Sequence, residues 1–111
     1  MSKVITQETL IARQATLAAA EAVYRTTTDA CAAAGQRVDA SADLHSRLTS
    51  EHRRERTTES AANLATAEAY YNAIDAQGNV AVRANLAAEA AVVEAKAAVE
   101  RAEKALAKRA A

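Results

Sequence analysis

The chain should be all-α, an elongated bundle of three long Ala-rich helices with coiled-coil-like packing over about 7–34, 40–77 and 80–109. Of its 111 residues 33 are Ala, the strongest helix former, and none is Pro. No stretch alternates apolar and polar residues in the period of a strand. Large aliphatic residues instead recur every seven positions, the spacing that keeps one face of a helix against a neighbour.

The first helix begins after Thr6, whose hydroxyl can cap the first turn while Glu8 complements the positive end of the helix dipole. Leu10, Leu17, Tyr24 and Cys31 form a ladder at intervals of seven, and Val38 continues the count. Such a ladder drifts by about 20° per heptad around a straight helix, so holding it on one partner calls for a left-handed supercoil. A second stripe, Ile11, Ala15, Ala18 and Ala22, runs beside it. Gly35 follows an Ala run in the manner of a helix-ending glycine, which makes Gly35 to Val38 the expected turn.

Asp39 or Ser41 would cap the second helix. Its middle, Thr49 to Ser60, has no apolar residue. Leu44 and Leu48 fall on one side of a continuous helix and Leu64, Tyr71 and Ile74 nearly on the other, which favours a break. Against a break stand the absence of Gly and Pro, the Glu51–Arg54 pair one turn apart, and Ala62, Ala65 and Ala69, which keep the phase of the leucines. The expectation is a continuous or kinked helix, with 49–60 as the place where it would break. Gly78 ends it, and a third helix starts near Asn79 or Val80 with Lys104, Lys108 and Arg109 toward its negative end. There Val92, Val99 and Leu106 repeat at seven, as do Leu86 and Val93. Two stripes on a helix describe two neighbours, and Ala faces allow approach near the short end of the range of about 8–10 Å. The self-association ladder is therefore Leu10, Leu17, Tyr24, Cys31, Leu86, Val92, Val93, Val99 and Leu106.

Beyond Ala, the apolar set holds eight Val, seven Leu, three Ile, three Tyr, one Met and one Cys, with no Phe or Trp. An Ala methyl contributes about 0.8 kcal/mol on burial against about 1.5–3 kcal/mol for a large aliphatic side chain, so 1–111, read as a single helical domain, has little to bury alone. Two Gly cannot build a phosphate-cradling loop, and a lone Cys can make neither a zinc knuckle nor an internal disulfide. The longest stretch free of charged residues, Ser60 to Ala67, is eight residues long, against about 20 for a membrane span. The opening residues are too short an apolar run for a signal peptide, and no glycosylation sequon occurs. The expected setting is the cytoplasm or a particle assembled there, with no membrane partner.

His45 and His52 share a helical face with Glu55 one turn on, but seven residues is about 10 Å along the axis, too far to share an ion. Exposed histidines beside carboxylates are the expected arrangement, with no metal and no cofactor. Cys31 has Asp29 and a run of Ala around it, a setting for a small core thiol and not a thiolate nucleophile. No serine sits in a nucleophile elbow, and Tyr24, Tyr70 and Tyr71 supply bulk that Ala lacks. Arg53, Arg54 and Arg56 are the one concentration of cations and a candidate anion contact. Glu51, Glu55 and Glu59 interleave with them and no aromatic residue joins them, so no nucleic-acid partner is expected. Charge is balanced at 14 basic and 14 acidic residues.

These features describe a non-enzymatic structural, assembly or interaction subunit that works by helix–helix self-association or by docking onto a larger protein assembly. A small phage-type virion or accessory protein has this character. The alternative is a small regulatory binder that sequesters a phosphorylated or nucleotide ligand or covers a partner's surface.

Overall fold

The computed structural model describes residues 4–110, about 95% helical, in two elements: α1 over Gln7–Glu55 and α2 over Thr58–Ala110. The all-helical expectation holds, but two helices stand where three were expected. Gly35 lies inside α1 and Gly78 inside α2, and neither glycine has the left-handed backbone of a helix end. A glycine in a helix interior costs about 1 kcal/mol relative to Ala, a loss that flanking Ala-rich turns and continued packing easily outweigh. A Cβ built on Gly35 meets nothing within 4 Å. Gly35→Ala should therefore raise stability by about 1 kcal/mol in a thermal melt. A turn built on a left-handed Gly35 would lose stability with the same substitution.

The chain reverses at Arg56 and Thr57, inside the polar stretch flagged for a break. Leu44 and Leu48 thus belong to a different helix from Leu64, Tyr71 and Ile74, and their conflicting phases disappear. Arg56 closes α1 with φ of 50° and donates its backbone N–H to the His52 carbonyl at 2.8 Å. This left-handed closing position is one that glycine occupies at little cost and other residues at about 1–2 kcal/mol. Arg56→Gly should accordingly raise the melting temperature by a few degrees. A lower melting temperature would show that the arginine side chain contributes more than its backbone costs.

Both helices open with the same reciprocal cap. The Thr9 N–H donates to Thr6 Oγ1 at 3.2 Å and the Thr6 N–H to Thr9 Oγ1 at 3.4 Å. In α2 the Ser60 N–H donates to Thr57 Oγ1 at 2.9 Å and the Thr57 N–H to Ser60 Oγ at 3.0 Å. Each box satisfies two backbone donors that a helix start otherwise leaves unpaired. Thr6 has its expected role, whereas Asp39, Ser41, Asn79 and Val80 start nothing and lie within helices. Ser41 is buried, and its hydroxyl donates to the Val38 carbonyl at 2.9 Å.

The contacts group into two compact units, Met1–Thr28 with Ala84–Ala111, and Asp29–Arg83. In the first, Leu10, Val99 and Ala102 form the core, with Ile5, Leu17 and Leu106 packed against it. Leu10, Arg13, Leu17, Ala20, Tyr24 and Thr27 are withdrawn from solvent on α1, in alternating steps of three and four. The same alternation on α2 takes Asn85, Ala88, Val92, Ala95, Val99 and Ala102. The Arg13 guanidinium donates to the Ala98 carbonyl at 2.9 Å, and Arg109 to the Ile5 carbonyl at 2.7 Å.

In the second unit the α1 row runs Cys31, Ala34, Val38, Ser41, His45, Leu48 and His52, and the α2 row Ser60, Leu64, Ala67, Tyr71, Ile74, Gly78 and Ala81. Half of these residues are small, namely Cys31, Ala34, Ser41, Ser60, Ala67, Gly78 and Ala81, and at Gly78 the two helices pack tightly. A Cβ on Gly78 would stand 3.1 Å from Val38 Cγ2.

Candidate functional site

A helix buries one row against its partner, and any second apolar row becomes a candidate contact surface. Of the ladder residues, Leu10, Val92 and Val99 are buried and Leu17, Tyr24, Cys31 and Leu106 half-buried, all on the rows that α1 and α2 turn inward. Leu86 and Val93 are different: they are 58% and 63% exposed. Ile11 is 57% exposed, and Ala15, Ala18 and Ala22 of its stripe also face solvent.

Helical geometry places these exposed rows together in the first unit. Ile11 and Ala18 each follow an inward residue of α1, Leu10 and Leu17, by one position. Leu86 and Val93 follow Asn85 and Val92 of α2 in the same way. One position is a rotation of about 100° in the same sense along each chain. Since the two helices run in opposite directions, both rotations lead to the same side of the pair. Val23 precedes Tyr24 by one position and points to the other side. The charged residues on the Ile11–Val93 side are Glu21, Arg25, Glu89, Lys96, Glu100 and Glu103, all exposed. None has an ion-pair partner within 4 Å among the described residues, where the one pair found is His45–Glu68.

Besides the contacts of Arg13 and Arg109 with backbone carbonyls, side-chain hydroxyl and amide groups meet across the first unit at the level of Asn85. Thr27 Oγ1 donates to Asn85 Oδ1 at 2.9 Å and Thr28 Oγ1 to the same oxygen at 3.0 Å. A polar layer in a helical seam lowers stability but penalises slipped registers, since sliding the helices separates its partners. Sequence reasoning passed over Asn85, although counting back by seven from Val92 reaches it.

The second unit carries a groove of about 550 Å³ lined by Leu44, Leu48, Asn63, Thr66, Ala67 and Tyr70. Tyr70 stands 52% exposed at its edge, whereas Tyr24 and Tyr71 are half-buried as bulk-supplying residues should be. Both histidines, expected in solvent, are half-buried on the inward row of α1. The His45 ring packs at 6.1 Å from that of Tyr71, and its Nε2 lies 3.4 Å from Glu68 Oε1. His52 Nδ1 lies 2.8 Å from the hydroxyl of buried Ser60, tying the end of α1 to the first turn of α2. No group of three or more metal-ligating side chains converges among the described residues.

Arg53, Arg54 and Arg56 are exposed beside the turn, and Arg56 Nε donates to the Arg53 carbonyl at 3.4 Å. The interleaved glutamates do not close on them within 4 Å. Cys31 is half-buried and lines a notch of about 270 Å³ with Gly35, Val38, Asp39, Asp75 and Gly78 among its neighbours. No described helix is long and apolar enough to cross a membrane. No protein-family model, curated protein or solved structure matches the chain.

Proposed function

We propose that the protein is a non-enzymatic structural or assembly subunit that acts by laying helix against helix, with copies of itself or with a larger partner. The observation that supports this most is the exposed apolar side of the first unit, where Ile11, Leu86 and Val93 are each more than half exposed while the inward rows are already occupied within the chain. The described chain exposes 8002 Å², against about 5,800 Å² for a typical folded monomer of its mass. The alternation of inward residues in steps of three and four leaves the other rows of each helix to present such a side. An accessory or virion component of the phage type would use a subunit of this kind, in the cytoplasm or in a particle assembled there.

Leu86→Glu together with Val93→Glu tests the reading. Both side chains lie outside the inward rows, so helix content by circular dichroism should stay unchanged while the assembly falls to single chains. An unchanged assembly mass would count against this side as the contact surface.

A second reading, a binder of a phosphorylated ligand, draws on Arg53, Arg54 and Arg56, whose guanidinium groups have no carboxylate within 4 Å. Titration with inorganic phosphate and with a nucleotide, followed by calorimetry, tests it. Heat that disappears in Arg53→Ala with Arg54→Ala would favour that reading.

A further inference from the structure

We infer that the side bearing Ile11, Ala18, Leu86 and Val93 is covered by the same side of a second copy lying antiparallel, with Val93 against the partner's Val93. This rests on the self-association reading and adds the occupant and its direction. The register of the first unit is fixed by Arg13 beside Ala98 and Thr27 beside Asn85, which brings Ala18 level with Val93. A two-fold axis through that level stacks α2 on the partner's α2 and α1 on the partner's α1. Small Ala18 then meets its own copy, which allows close approach on the α1 side as Val93 makes contact on the α2 side.

The charges select the direction. In the antiparallel arrangement Lys96, three residues past Val93, reaches the level of the partner's Glu89, four residues before it. The partner's Glu21 stands at that level too, on the neighbouring helix. Each Lys96 thus faces two carboxylates, and the symmetry repeats the arrangement. With the copies parallel, α1 lies over the partner's α2 at equal levels and Glu21 comes over the partner's Glu89, setting like charges together twice. The pairing also uses groups left without ion-pair partners in the single chain.

A cysteine on the two-fold axis reports the arrangement directly. Val93→Cys in a Cys31→Ser background should form a disulfide-linked dimer from most of the chains on mild oxidation, because the two sulfur atoms meet. Val23→Cys in the same background, on the other side of the helix pair, should remain single chains. Equal linkage at both positions overturns the proposal. No linkage at Val93→Cys while the unmodified chain sediments as an oligomer also overturns it, and leaves self-association standing on another surface. A single-chain mass for the unmodified protein removes both. As an independent readout, Lys96→Glu should weaken the dimer about tenfold, and adding Glu89→Lys should restore it. Failure of the second change to restore affinity would contradict the antiparallel pairing.

Discussion

Ala102→Asp is expected to lower the melting temperature by roughly 12 °C or more, the largest effect of any single change considered. Ala102 is fully buried at 0% exposure, beside Leu10 and Val99, with Ile5, Leu17 and Leu106 around that core. A carboxylate placed there loses its hydration and gains no designed partner, a penalty of about 3 kcal/mol or more. At about 4–8 °C per kcal/mol for a domain near this size, the shift would be plain in a circular dichroism melt. Ala102→Gly separates the helix contribution, because it removes only a methyl and should cost about 1 kcal/mol in propensity besides the lost contact. A melting temperature within a few degrees of wild type for Ala102→Asp would mean that this level of the helix pair is open to water.

Gly78→Leu should be the next most damaging change, for a steric reason. The position a Cβ would take is 3.1 Å from Val38 Cγ2, so even a methyl would press on a side chain that is stiff about its first torsion. A leucine must push the two helices apart, at about 1–3 kcal/mol for overpacking, against a gain of about 1 kcal/mol in helix propensity. Val38→Ala alone should cost some packing, but in the double variant it should recover most of the loss, since it clears the space the leucine needs. The diagnostic is the coupling in a double-mutant cycle. Additive losses would show that Gly78 and Val38 are not in contact.

The helical class was legible because Ala fixes local conformation whatever the partner. The boundaries were not, and particular residues show why. The apolar ladder from Leu10 to Val38 continues by sevens into His45 and His52, and that from Leu106 back to Val92 continues into Asn85, Gly78, Tyr71 and Leu64. A rule that counts only large apolar residues stops at the histidines, asparagine and glycine, although each of these residues lies on the inward row of its own unit. Glycine as helix punctuation then filled the gaps with turns. The true reversal uses a left-handed arginine, which no composition rule favours. One local signal did mark it: Thr57-Thr58-Glu59-Ser60 repeats the pattern of Thr6-Gln7-Glu8-Thr9, the cap that opens α1. The second stripes at Ile11 and at Leu86 and Val93 were readable as apolar rows, and their exposure distinguishes them from the inward rows. The groove edged by Tyr70 was not readable, because it depends on which residues of α2 come to face Leu44 and Leu48.

The mass of the purified chain in solution, followed by sedimentation equilibrium from low to high micromolar concentration, tests self-association most directly. A reversible dimer or a closed multiple of it is predicted, with more chains associated as concentration rises. A fully folded species of 11.6 kDa at every concentration would contradict the proposed self-assembly.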